Sequence, residues 1–189
     1  MSTARSQFPD LPGDSTLLPY RGTWPSIDPT AFVAEGCRIV GDVEIGAEAN
    51  IWFNCVIRGD EHRVCIGARS NIQDGTVIHV HSAKQGTYIG ADVTIGHKAL
   101  LHACTVEDGG FVGMGAIVLD EAVIEGGGML AAGAMLTPGK RLPSGELWAG
   151  SPARRARALS EDELAAFAQT VENYRARGQE YRRARRDGV

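Results

Sequence analysis

The chain has no apolar run approaching the ~20 residues that a membrane-crossing helix needs. Its formal net charge is only −4. Neither a membrane span nor a polyanion-binding surface is therefore expected, and no membrane or nucleic-acid partner with them. The one locally basic stretch, Arg175, Arg177, Arg182, Arg183, Arg185 and Arg186, reads as the solvated face of a helix. The four cysteines, Cys37, Cys55, Cys65 and Cys104, show neither C-x-x-C spacing nor the pattern of a disulfide-stapled secreted domain. Arg5, Asp10 and Asp14 interrupt the first residues, which carry no apolar core of the signal-peptide kind. A reducing cytoplasm is the compartment these absences point to.

What is abundant is glycine, 24 of 189 residues, roughly double the usual ~7%. It accompanies a ladder of six-residue steps opening on Ile, Val or Leu, running from Ile27, Val33 and Ile39 through Ile72, Ile95 and Val112 to Leu136. Four residues after most of these openings comes a small side chain, as at Ala31, Cys37, Ala49, Ser70, Ala99 and Ala134. A fixed short period means a solenoid, and a hexapeptide period means an all-β parallel helix. The expected organisation is an irregular lead-in over 1–26, a β-helix domain over 27–152 and a C-terminal helix over 153–189. Ser160 and Glu163 stand at capping-box spacing, and Leu164, Phe167, Val171 and Tyr174 recur at helical spacing.

Three hexapeptides make one triangular coil, so steps three apart stack on one face about 4.8 Å apart. The period is broken between Ile57 and Ile66, between Ile78 and Ile89, and by one missing residue between Leu101 and Val106. Insertions in a solenoid are expected to project as loops beside its working surface. Arg58, His79 and His102 each follow a step opening by one residue, in steps three apart, and form one outward column. Asp74 and His97 each follow by two and form a second column on a different face. If one chain's face met another face of a second chain, three imidazoles would share a pocket with Arg58 opposite Asp74. Three histidines are a first shell for a catalytic transition metal with one position left for water. Zinc, cobalt, iron and nickel all suit imidazole. His81 forms an H-x-H pair with His79, but it has no partner on its column and opens a loop; His62 reads as an ordinary polar residue.

The stretches IRGDE (57–61), RSNIQDGTVIHVH (69–81), GHKALLHACTV (96–106), GMGAIVLD (113–120) and GSPAR (150–154) resemble the γ-class carbonic anhydrase family, over roughly residues 19–183. The resemblance implies a left-handed parallel β-helix that assembles as a homotrimer. It implies a metal at each subunit interface, zinc with Fe2+ or Co2+ as alternatives, held by His79 and His102 of one chain and His97 of the next. Arg58 and Asp74 resemble the family's interfacial ion pair. Gln73 and Asp60 resemble the polar groups around the metal-bound water, and Glu61 matches a glutamate of the site. Tyr174, with Asn173, reaches toward the pocket from the C-terminal helix. The implied activity is reversible hydration of carbon dioxide to bicarbonate by a metal-bound hydroxide. The archaeal prototype carries a glutamate proton shuttle on a long acidic loop; here that loop, Ser82–Thr87, is short and has no carboxylate. The same metal site could instead hydrolyse a thioester, serve a non-catalytic metal-binding trimer, or belong to a hexapeptide acyltransferase using acetyl-CoA.

Overall fold

The computed structural model describes residues 16–83 and 85–188; the segment 1–15, within the expected lead-in, lies outside the described residues. The chain winds into a left-handed parallel β-solenoid of about seven turns followed by a helix. Each coil places one aliphatic side chain on each of three faces. On the first, Leu17 stacks on Ile39, Ile39 on Ile57, Ile57 on Ile78, Ile78 on Leu101, Leu101 on Val118 and Val118 on Leu136. On the second, Val33, Ile51, Ile72, Ile95, Val112, Leu130 and Trp148 stack in the same way. The third runs from Ile27 through Ile45, Ile66, Ile89, Val106 and Ile124 to Leu142. Ile72, Ile95 and Val112 thus share a face, as the hexapeptide register requires. Nearly all of these side chains are fully buried, so the core is a continuous rod of branched aliphatics whose burial drives the coiling.

The stack begins earlier than Ile27. Thr16–Leu18 pairs in parallel with Arg38–Val40, and at the far end Glu146–Ala149 is closed by the antiparallel strand Arg154–Ala158.

The stretch between Ile57 and Ile66 does not project as a loop. It continues as one strand, Val56–Ile66, against Arg38–Ile45. The register passes from Gly41↔Gly59 to Val43↔Val64, so four residues, Asp60 to Arg63, oppose the single Asp42. This is a bulge, which bends a strand without ending its pairing. Glycine is needed on both sides of it. A Cβ on Gly41 would lie 2.3 Å from the Gly59 carbonyl oxygen, and one on Gly59 would lie 2.2 Å from that of Asp42. The second break does form a small excursion, with His81 bridging Gln85.

Helix α1 (Glu161–Asp187) starts at the expected cap. The Ser160 hydroxyl accepts from the Glu163 amide at 3.2 Å, and the Glu163 carboxylate accepts from the Ser160 amide at 2.9 Å. The helix runs along this chain's own second face. Phe167 packs on Phe111 with ring centroids 4.7 Å apart, and Tyr174 packs edge-on against Trp52 at 5.4 Å. Gly178 faces the Phe32 side chain, where an added Cβ would find atoms at 3.4 Å. Arg182 donates to the carbonyls of Thr30 and Pro29.

The Arg157 guanidinium and the Ser160 amide bond Glu163 and hold its carboxyl down at about 2. A depressed folded-state value means that its contribution is complete above the ordinary ~4.5 and is lost as pH falls toward 2. Helix stability followed by circular dichroism should therefore decline between pH 4.5 and 2 in the native chain. Glu163→Gln should flatten that decline, whereas an identical acid profile in the variant would show that this carboxylate does not anchor the helix.

Candidate metal centre

The inward ladder dictates what stands outside it. Arg58, His79 and His102 each follow a fully buried aliphatic, Ile57, Ile78 and Leu101, so they point away from the core on the first face. His102 stands in register with His79, with ring centroids 5.3 Å apart. Asp60, on the bulged strand, receives a hydrogen bond from Nε2 of His79 at 2.9 Å and another from the Arg58 guanidinium. Asp120 meets Nδ1 of His102 at 2.5 Å. An ionised carboxylate can only accept, so each imidazole donates the N–H that meets it. In the neutral ring this leaves the lone pair on Nδ1 of His79 and on Nε2 of His102.

Both aspartates are kept ionised. Partial burial raises the Asp60 carboxyl, but the His79 hydrogen bond and the nearby Arg58 charge outweigh it, and its pKa ends below the ordinary range. Asp120 behaves alike: burial raises it, and the hydrogen bond and charge of His102, with His81 nearby, bring it down.

The second column lies on the helix-covered face. Nδ1 of His97 is 2.7 Å from the Asp74 carboxylate, and Nε2 of His97 is 3.4 Å from the Tyr174 hydroxyl. Burial raises the Tyr174 phenol, and the negative charge of Asp74 adds to the effect. Gln73 is 3% exposed. Its amide donates to Asn71 at 3.0 Å, and its oxygen accepts from the His97 backbone at 3.2 Å. Asn71 in turn donates to the Thr94 hydroxyl at 2.9 Å, so this polar layer is clamped from beneath.

One chain therefore brings together His79, His102, Asp60 and Arg58 on one face, and His97, Asp74, Gln73 and Tyr174 on another. Among the described residues of the single chain, no three His, Cys, Asp or Glu side chains gather into a metal-holding group. Within the chain Arg58 pairs with Asp60, and Asp74 with His97. Glu61 follows Asp60 and lines an open cleft of about 370 Å³ with Tyr20, Arg21, Thr23, Asp42, Gly59, Asp60, His62 and Arg63. His81 stands 6.5 Å from His102, and its Nδ1 accepts from the Ala83 amide at 3.2 Å. His62 accepts from the Arg63 amide and packs edge-on against Tyr88. Cys104 is enclosed, and burial pushes its thiol up to about 12, as packing rather than chemistry requires.

Two polar contributors escaped the sequence reading, Asp120 and Asn71. The signal for Asp120 was present: Val118 opens the step directly above Leu101, so Asp120 falls next to the histidine column.

The fold and paired imidazole columns define a hexapeptide-repeat β-helix with donor sets on two separate faces. The chain is 46% identical over 164 residues to gamma carbonic anhydrase 1, mitochondrial, of Arabidopsis thaliana, covering 84% of this chain and 60% of that protein. It thus spans about 60% of the length of that relative. A carbonic anhydrase of Geobacillus kaustophilus is 41% identical over 166 residues, covering 88% of this chain and 91% of the other. Among solved structures, a hexapeptide transferase family protein from Anaplasma phagocytophilum superimposes with a TM-score of 0.85 at 51% identity, covering 88% and 98% of the two chains. No protein-family model matches. The chain belongs to the γ-class carbonic anhydrase family.

Carboxylate partners fix the orientation and basicity of a ligating imidazole. For a metal held by His102, Asp120→Ala should accordingly weaken binding roughly 10–100-fold in a chelator competition. Unchanged affinity would show that Asp120 does not orient His102 toward a metal.

Proposed function

We propose that this chain is a metal-dependent carbonic anhydrase-like enzyme. It carries Zn2+, or Fe2+ or Co2+, between neighbouring subunits of a homotrimer and interconverts carbon dioxide and bicarbonate there. The observation that carries this reading is the pair of carboxylate-held imidazoles, His79 and His102, with a third on another face, His97, held in the same manner. The donor chemistry fits such an ion. Two neutral nitrogens from one chain and one from the next form a three-imidazole shell with an open position. When bound, the ion supplies a Lewis acid that lets water ionise near pH ~7.

The chain's own residues do the rest. Asp60 and Asp120 hold the two rings in the donating tautomer. Gln73, clamped from beneath, offers its remaining amide N–H to an oxygen in the pocket, and Tyr174 borders it from the helix. We assign Glu61, in the open cleft beside Asp60, as a slow proton relay that a small buffer outpaces.

Assembly is supported by an apolar strip on the first face. Val56, Val77, Leu100, Ile117 and Met135 stack in register outside the core, with Val77 and Leu100 more than one-third exposed. On the second face Met114, 59% exposed, sits next to His97, whose carbonyl accepts from the Gly115 amide at 2.8 Å. Exposed apolar surface of this kind marks an interface, and a head-to-tail contact between two different faces closes as a ring. Arg58 would there meet Asp74 of the partner subunit. Four free thiols accord with the cytoplasmic location that belongs to this proposal. A metal-free acyltransferase needs one histidine base, and three carboxylate-held imidazoles exceed that need.

Metal analysis of anaerobically purified protein, paired with stopped-flow hydration, tests the reading. Replacing His79, His97 or His102 by Ala should strip the metal, whereas His81→Ala and His62→Ala should keep it. Equal loss in His81→Ala would move the third donor, and absence of hydration in fully metallated protein with zinc, cobalt and iron each tried would refute the reaction. Because the short loop carries no carboxylate, the hydration rate should rise with the concentration of an imidazole-type buffer. A fast, buffer-independent rate in Glu61→Gln would show that the proton leaves by another route.

A further inference from the structure

The bulge that carries Asp60 has a second consequence. Its outer side and the turn at Tyr20–Thr23 flank the open 370 Å³ cleft, large enough for a small organic molecule. The turn is closed by its own backbone. Tyr20 and Thr23 exchange two backbone hydrogen bonds, each 2.9 Å. Its two central residues have positive φ, 48° at Arg21 and 84° at Gly22, the pairing a tight two-residue turn demands. Other non-glycine residues with positive φ, such as Glu48, Arg69 and Asp92, serve coil corners; Arg21 stands outside the coils, at the wall of the cleft.

Three carboxylates, Asp42, Asp60 and Glu61, and two guanidiniums, Arg21 and Arg63, line the cleft, and all but Glu61 and Arg21 have partners among the described residues. Arg63 lies 3.4 Å from the Asp42 carboxylate and 3.1 Å from that of Glu44. Asp60 is taken by Arg58 and His79. Arg21 has no ion pair among the described residues. Its guanidinium lies over the Tyr20 ring, 5.2 Å from the centroid, which holds the planar group without using its N–H donors. A planar guanidinium with unused donors, carried on a hydrogen-bonded turn at the wall of a small cleft, matches a planar carboxylate in two-point contact. The neighbouring negative charge of Glu61 limits how tightly an anion is held.

We propose that this cleft is a weak binding site for a small carboxylate-type anion, anchored by Arg21, on the solvent side of Asp60. This inference rests on the proposed reaction, because hydration of carbon dioxide ends in such an anion; hydrolysis of a thioester, the alternative chemistry for the same metal, would end in one too. The carboxylate chemistry is shared; bicarbonate and an organic acid are its two sources. Asp60 forms one wall of the cleft and also holds His79, so the anion would sit next to the metal-side machinery without touching the imidazoles.

The test is a 13C NMR titration of the full chain with labelled bicarbonate, acetate and hexanoate at low ionic strength. It is run on protein as purified and after chelation, which removes exchange with carbon dioxide and any anion on a metal. Saturable binding should survive chelation and weaken about tenfold or more in Arg21→Gln, with Arg21→Lys intermediate and both variants melting at the native temperature. Tightest binding of bicarbonate would identify the hydration product as occupant, and tightest binding of hexanoate would identify an organic acid. Absence of saturable binding by any of the three, or equal affinity in the folded Arg21→Gln protein, overturns the site. Hydration measured on the same metallated samples keeps the two claims apart: hydration without Arg21-dependent binding sinks only the cleft, and binding without hydration sinks only the reaction.

Discussion

One branched aliphatic side chain every six residues, stacked on its counterpart a coil away, is the constraint from which everything else follows. The stacking sets the strand register, because a shift of one residue would turn Ile78 or Leu101 outward and bury a histidine instead. It also sets stiffness. Each coil is hydrogen-bonded to the ones above and below, so the backbone beneath His79 and His102 cannot slide. The imidazoles gain their positions from apolar packing several ångströms behind them.

On that scaffold the polar chemistry is built by repetition rather than by a dedicated loop. A residue one place after the inward aliphatic points out, and doing so in successive coils stacks His102 on His79. Asp60 and Asp120 then decide the tautomers. The price of a register this strict is that one chain's columns stay on separate faces, and a three-imidazole shell needs a second chain. In the proposed assembly, the apolar strip of Val77, Leu100 and Ile117 is the surface on which that chain packs. The bulge at Asp60–Arg63 brings a carboxylate under His79 and opens the cleft on its far side, so one local departure from the repeat serves both.

The regular part of this was legible from residues alone. The shared face of Ile72, Ile95 and Val112, the stacking of His102 on His79, and the capping box at Ser160 each follow from a period or a spacing. Breaks in the period were not. Nothing local told whether the residues after Ile57 would loop out or stay paired; the glycines at 41 and 59 decide it, and their effect depends on a close approach between coils. Leu17 was missed as the first rung because Pro19, Thr23 and Pro25 interrupt the spacing before Ile27. Asp120 follows from the register, yet its contact with His102 is a meeting of two side chains that spacing alone does not contain. The family resemblance supplied the handedness and the metal assignment, neither of which periodicity contains.

The claim that two chains complete each metal site is tested most directly by subunit mixing. His97→Ala chains and His102→Ala chains, each expected to be inactive and metal-poor, are dissociated, combined and reassembled. The account predicts that mixed assemblies regain metal and hydration, since His79 and His102 of a His97→Ala chain can meet the intact His97 of its His102→Ala neighbour. Mixtures no richer in metal than the parents, despite verified co-assembly, would contradict it, because a site built within one chain can never be repaired from outside.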